Sequence, residues 1–417
     1  MHPKKPLVLC IAALFLCASQ AAEQPSKPPV AQVWIDLSTV SGNMPNMSAM
    51  RGGPGAAMGS LFGGGSKEGG NSFGNTRAMA GAGRWMDVTL MTRNNPSLQN
   101  ATQAVPDGSK LAPSIALISP EGTPPPPPPV KAQPREEEQE PAPEYKQPKG
   151  KIFLYWGCGS TVREGQPHVL DMATAAPQDL AAFFQSRHAT TKGTHSTPGQ
   201  PIWPNKTDSR LIAPYASLVG EHTFTGDGVP DGFRVNIDPG HDLMPGIDLR
   251  SHDDDISTIL DWQAIDSARA YFIASMSNRA EGEMVVWTSS ELPEFGMGLI
   301  DYQPNASIDK WLKEKVLLAP ATTECAVPKE ALGKRGMIRM IAYGNEMDVA
   351  YPPRPKDPKQ TWEPQWAAKI RLKSVTTLIP GMQNRGNPRA RDTDSQDNGN
   401  RQAPPSPMGV LKGLFGK

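Results

Sequence analysis

Residues 256–290 read ISTILDWQAIDSARAYFIASMSNRAEGEMVVWTSS, and this stretch decides the fold class. Thr258, Leu260, Trp262 and Ala264 alternate with Ile259, Asp261, Gln263 and Ile265, the period of two that a pleated strand imposes. After a turn-like Asp266-Ser267, Ala270, Phe272, Ala274 and Met276 alternate with Tyr271 and Ile273. The segment from Asn278 to Glu283 carries a glycine and few apolar residues, and Met284 to Trp287 reads as a third strand. Three strands with two tryptophans and a tyrosine predict an antiparallel core, and the chain as a whole reads as mainly β with two short helices.

Working outward, residues 31–39 (AQVWIDLST) and 84–91 (RWMDVTLM) alternate as strands. Their shared Trp-x-Asp, at Trp34/Asp36 and Trp85/Asp87, suggests that they pair across the loop between them. That loop, 42–83, is rich in glycine and methionine and is expected to be mobile, since glycine maximises backbone entropy and anchors are few. With Ser114–Ile118 these strands form a small N-terminal β element over 31–119. Residues 120–150 read as a linker: Pro124 to Pro129 favours polyproline II, and Arg135 to Glu144 is charged and broken by proline. A stiff spacer is the expectation there, ahead of a proline-recognition ligand.

A main β-rich domain is expected over 151–382. It opens with the strand Lys151–Trp156, and a helix follows from Pro177 to Arg187 with Leu180, Phe183 and Phe184 on one face. Short strands are expected at 233–237 and 247–249. A second helix is capped by Ser307 and carries Ile308, Trp311, Leu312 and Val316 on one face. Closing strands lie at 337–341, 347–351 and 367–372. Beyond Met382 the chain is polar and rich in Pro, Gly and Asn, so 383–417 reads as a disordered tail. The order of Leu260-x-Trp262 and then Ala270 to Ile273, a tryptophan strand leading by a short turn into a tyrosine strand, resembles a fibronectin type III or immunoglobulin-like sandwich over about residues 245–375. The resemblance implies an antiparallel β-sandwich-like domain and no particular function.

The 417 residues hold 44 prolines, 39 glycines and 38% hydrophobic residues, so much of the chain packs no core. Lys plus Arg and Asp plus Glu both number 42, which leaves no net basic field to attract nucleic acid or an anionic membrane. Residues 1–21 read as a secretory signal peptide: Lys4-Lys5 is the positive region, Leu7 to Cys17 the apolar run, and Ser19-Gln20-Ala21 the cleavage site. Leu16 stands where a lipid-attachment box at Cys17 wants a small residue. An apolar run this short does not span a bilayer, and no other transmembrane candidate follows. The expectation is an exported protein, periplasmic or extracellular. Removal of Cys10 and Cys17 with the signal leaves Cys158 and Cys325, an even pair in an oxidising compartment and so a predicted disulfide.

Several segments carry candidate chemistry. Met44, Met47, Met50 and Met58 place soft thioethers at short spacing, which suits Cu(I) and resembles the Met-rich segments of periplasmic copper-handling proteins. Thr225-Gly-Asp227-Gly-Val-Pro-Asp231 resembles half of a calcium loop but carries Thr223 and Thr225 where carboxylates belong, so a polar turn is expected. His241, Asp242, His252 and Asp253 to Asp255 cluster without any metal-motif spacing. Cys158 between two glycines could serve as a nucleophile, but its pairing with Cys325 accounts for it better. No G-x-S-x-G, H-E-x-x-H or phosphate-binding glycine loop is present. The sequence therefore points to an exported, non-catalytic β-rich protein that binds or scaffolds a protein or cell-envelope component, with no resident cofactor. A copper-binding protein using the Met loop is the alternative, and an exported hydrolase the second alternative.

Overall fold

In the computed structural model of the protein, residues 26–42, 71–77, 81–111, 113–122, 150–189, 192–280, 282–357 and 359–380 are described. The expected signal peptide, the methionines at 44, 47, 50 and 58, most of the linker and the tail lie outside them. The architecture is mainly β, as expected, with three helices among the described residues: α1 (Pro177–Phe183), α2 (Asn305–Lys313) and α3 (Lys329–Leu332).

Two strands organise the centre. β1 (Ala31–Ser41) pairs antiparallel with β2 (Gly83–Thr92), which joins the two Trp-x-Asp segments in the way their likeness suggested. On its other side β1 pairs with β17 (Trp366–Leu378) in parallel along its whole length. The sheet thus joins strands from before residue 120 with strands from after residue 150, β1 standing between β2 and β17. Fourteen strands share this sheet. From β17 it continues through β15 (Lys334–Gly344), β12 (Ala268–Ala280), β13 (Glu283–Thr288) and β5 (Lys151–Trp156) to β6 (His168–Asp171). From β2 it runs through β7 (Ile202–Trp203), β4 (Ser114–Ile118), β3 (Asn100–Ala104) and β8 (Gly220–Gly226) to β9 (Arg234–Ile237). β16 (Met347–Tyr351) adds to β17 from the side. With β5 and β13 also parallel, the sheet is mixed.

The three strands expected to form one antiparallel core divide instead. β12 and β13 form a hairpin whose turn is made at Gly282, where φ is +72° and glycine meets no steric penalty. The tryptophan strand β11 (Ser257–Asp261) joins β10 (Arg250–Asp253) and β14 (Glu324–Pro328) in a separate three-stranded sheet. Trp262 then meets Tyr271 edge to face across the layers, centroids 5.7 Å apart, and the Tyr271 hydroxyl accepts from the Ile265 amide. Residues 245–375 do not close on themselves as a fibronectin-like unit would. β13 needs β5, and β17 needs β1, both from outside that range.

The main core draws residues from both sheets. Val33, Ile35 and Leu37 of β1 meet Met86, Val88 and Leu90 of β2 and Ile370 and Leu372 of β17 on one face. Leu260, Trp262 and Val327, in or beside the smaller sheet, belong to the same cluster, as do Trp203, Phe224 and Phe233 from the β7 to β9 region. Each such aliphatic or aromatic side chain contributes about 1.5–3 kcal/mol, an upper figure since an unfolded chain already hides some of it. On the opposite face α2 seats Ile308 and Trp311 against Phe272, Ile341 and Tyr343. Pro304, rather than Ser307, stands at the cap of that helix. α1 brings Phe183 towards Phe295 and the β5–β13 pair.

Candidate functional site

The face of β2–β1–β17 that turns away from the main core carries the chemistry. Alternation places Trp34, Asp36 and Ser38 of β1, Trp85, Asp87 and Thr89 of β2, and Lys369, Arg371 and Lys373 of β17 on that side. The register sets Asp36 directly opposite Asp87 on one flank and Arg371 on the other. It also sets Trp34 against Thr89 and Trp85 against Ser38, so the two Trp-x-Asp-x-Ser/Thr segments meet as a local two-fold pair. Two carboxylates and two cations in mid-sheet would be solvated if this face were open. Here it is covered, and Asp36 and Asp87 are 0% exposed, Lys373 2% and Arg371 3%.

Each charge is met. Arg371 grips Asp36 with two donors, Nε at 2.6 Å and Nη2, while Thr194 donates its hydroxyl at 2.6 Å and its amide at 3.2 Å to the same carboxylate. The guanidinium lies over the Tyr302 ring at 4.4 Å and the Lys373 ammonium over it at 4.3 Å. The Tyr302 hydroxyl donates to the Leu37 carbonyl at 2.9 Å. Lys373 donates to Asp301 at 2.7 Å. Gly193 crosses directly above Arg371, where a Cβ would fall 1.8 Å from Nη2. The roof is therefore three short segments: 193–195, 301–302 and the turn Asn71–Arg77. That turn belongs to the stretch expected to be a mobile loop, and in its described part it packs, with Asn71, Asn75 and Thr76 buried.

Asp87 holds the turn. Its carboxylate accepts from the Gly74 amide at 3.1 Å, from the Thr76 amide at 3.4 Å and from the Thr76 hydroxyl. Burial pushes the Asp87 carboxyl up from 3.8 to about 7; the Asp36 charge opposite adds to the rise, and the Thr76 and Gly74 bonds offset part of it. Burial alone would lower Arg371, but the charge and bonds of Asp36 outweigh it and hold the guanidinium above its ordinary value. Burial lowers Lys373 against the opposing pull of Asp301. Burial also drives the Tyr302 and Tyr343 hydroxyls well above the usual phenol range. Arg339 of β15 is pushed down by burial, and its Nε has no hydrogen-bond partner among the described residues.

The sequence-derived candidates fall elsewhere. Cys158 and Cys325 form a disulfide, with Cα atoms 5.2 Å apart, inside the range a bridge requires. It ties the end of β5 to β14. Cys158 is thereby closed to nucleophilic chemistry. His241 is bonded to Asp238 at 2.8 Å and to Asn345, while His252 faces Asp261 at 3.4 Å in the other sheet. The structure does not bring these two histidines into one site. Asp227 accepts from Asn95 at 2.9 Å in the turn between β8 and β9, a polar turn as expected. No group of His, Cys, Asp or Glu among the described residues is arranged to hold a metal. No helix among them is long and apolar enough to cross a membrane. A surface hollow lined by Ser160, Thr161, Asp255, Ile256 and Lys329 lies near the disulfide and contains no histidine.

No protein-family model, curated protein or solved structure matches the chain. The chemistry of the site rests on its own residues. A charged pair beside a carboxyl that titrates near neutrality resembles an acid–base arrangement. Here, however, the oxygens of Asp36 and Asp87 are taken up by the protein's own donors. Sequence reasoning missed the cluster as a site, although two signals were present: the repeated Trp-x-Asp, and the alternating cations Lys369-Ile-Arg371-Leu-Lys373.

Proposed function

We propose that this chain is an exported, non-catalytic β-rich protein that binds or scaffolds a protein or envelope component. The observation that carries the reading is the closure of the charged cluster. Its carboxylates and cations are consumed by one another and by Thr194, Thr76 and Tyr302, so they brace the centre of the sheet. The Cys158–Cys325 bridge supports export, since such bonds persist in oxidising compartments. The test is sedimentation of the full chain with isolated envelopes, run beside assays for ester, peptide and glycoside hydrolysis. Saturable binding competed by unlabelled protein, without turnover, is the expected result. Turnover abolished by Asp87→Asn would replace the reading with that of a hydrolase. The Cu(I) alternative is carried by Met44, Met47, Met50 and Met58 in the sequence, and a Cu(I) titration against a variant with all four changed to Leu decides it.

A further inference from the structure

We propose that two copies of this chain pair edge to edge through β9 (Arg234–Ile237), continuing the large sheet across a two-fold axis at Asn236. The inference is independent of the binding reading, since it names an interface between like chains. β9 is the last strand of that sheet, and among the described residues only β8 pairs with it. Its outer edge is therefore a row of unpaired amides and carbonyls. Natural sheets commonly blunt such an edge with lysine or proline, or cover it. Residues 234–237 contain neither lysine nor proline, and Arg234 and Asn236 are exposed. The extended run reaches one residue further, because Asp238 has φ −86° and ψ 167°.

The ladder and the sequence fix one register. The Phe224 amide donates to the Phe233 carbonyl at 2.9 Å, so Phe233, Val235 and Ile237 turn their backbone groups towards β8. Arg234, Asn236 and Asp238 turn theirs outward. A two-fold axis normal to the sheet makes the paired strands antiparallel and keeps every side chain on its own face. Residues paired across it must therefore share parity. With the axis at Asn236, the three residues with outward backbone groups meet one another: Asn236 meets Asn236, and Arg234 meets Asp238 of the second copy. On the core face Val235 falls opposite Ile237, so apolar stands against apolar. Arg234 is held only loosely within its own chain, 3.9 Å from Glu221. Asp238 takes the Gly240 amide and the His241 ring, each at 2.8 Å, on Oδ1 alone, which leaves Oδ2 for a cation. By symmetry the Arg234–Asp238 pair forms twice. β6, at the other end of the sheet, offers no such match: with the axis on Val169 or Leu170, Asp171 falls opposite Pro167 or Val169.

An edge this short buries little area, so the dimer is weak, and sedimentation velocity of the full chain from about 5 to about 500 μM tests it. The expected result is a shift from one chain mass towards two as concentration rises. Amide exchange gives the place: Arg234, Asn236 and Asp238 should exchange about threefold more slowly at the upper concentration, with Val235 and Ile237 unchanged. Asn236→Pro removes an outward amide without touching the β8 ladder and should leave a folded monomer, checked by circular dichroism. Arg234→Asp sets like charges opposite each other, as does Asp238→Arg, and each alone should weaken self-association at least about fivefold. An equimolar mixture of these two variants, whose edges are complementary, should pair again. A chain that stays monomeric throughout overturns the proposal, as does a dimer that survives Asn236→Pro, a mixture that fails to pair, or concentration-independent exchange at Asn236.

Discussion

Replacing Arg371 by Met would remove the one cation that Asp36 holds with two donors, while keeping an apolar side chain of similar length over Tyr302. Asp36 would remain at 0% exposure with Thr194 as its main partner and Arg77 3.7 Å away, half in water. Breaking a buried pair from one side costs about 3–5 kcal/mol, because the remaining charge must be kept out of water uncompensated. Loss of the contact with Tyr302, about 2 kcal/mol where desolvated, falls within that figure. Urea unfolding of the full chain, followed by fluorescence and circular dichroism to check that the transitions coincide, should show the midpoint falling by more than about 1 M for a slope of about 3 kcal/mol/M. The pair Asp36→Leu with Arg371→Met should be less damaging than Arg371→Met alone. It removes both charges and leaves chiefly the Thr194 donors unmet, at about 1–3 kcal/mol. A cost below about 1 kcal/mol for the single variant would refute the reasoning, and so would a double variant as costly as the sum of its parts.

Asp87 is raised in the fold from 3.8 to about 7, so its contribution to stability is complete below about pH 4 and is lost as pH rises towards 7. Unfolding free energy should therefore fall by about 3–4 kcal/mol across that window relative to Asp87→Asn, measured by urea titration at each pH. Gly193→Ala forces a Cβ to within 1.8 Å of the Arg371 guanidinium and should cost about 1–3 kcal/mol in the same assay, whereas the equally small change Gly165→Ala, where a Cβ meets nothing, should show only the strain of its positive φ. Reducing the Cys158–Cys325 bridge, which closes a separation of 167 residues, should lower stability by up to about 5 kcal/mol, and alkylation before reduction should label neither cysteine. Cleavage at a protease site engineered between residues 123 and 149 should leave two pieces that coelute on gel filtration, because β1 is paired along its length with β17; separation of the pieces would contradict that sheet order.

Much of the β architecture was legible strand by strand. The alternation at 31–39, 84–91, 270–276, 284–287 and 367–372 reports a local property, and those strands are present. Short strands such as β3, β6 and β14 lacked a long enough alternating run to be seen, and their pairing partners hold them extended. Partner choice was not legible. Ile256 to Met276 looked like one hairpin because its two runs are adjacent in sequence. Yet the turn after Trp262 carries the chain from one sheet to the other, so that Trp262 packs on the face of Tyr271's strand rather than along its edge.

The residues of the site were visible as residues but not as a site. By itself the sequence determined that Trp34, Asp36 and Ser38 share one face of a strand, that Trp85, Asp87 and Thr89 share another, and that Arg371 and Lys373 alternate with Ile370 and Leu372. It also held the one cysteine pair that bridges once residues 1–21 are set aside. Period-two patterning says which side chains point the same way, and its simplest reading sends the polar side to water. Only the tertiary structure decided that this side is buried. The groups that cover and satisfy it come from far along the chain: Thr194 lies 158 residues from Asp36, Tyr302 lies 265 from Leu37, and Arg371 lies 335 from Asp36. Burial, charge pairing and the raised Asp87 carboxyl depend on distances in space between such segments, and local periodicity carries no information about those distances.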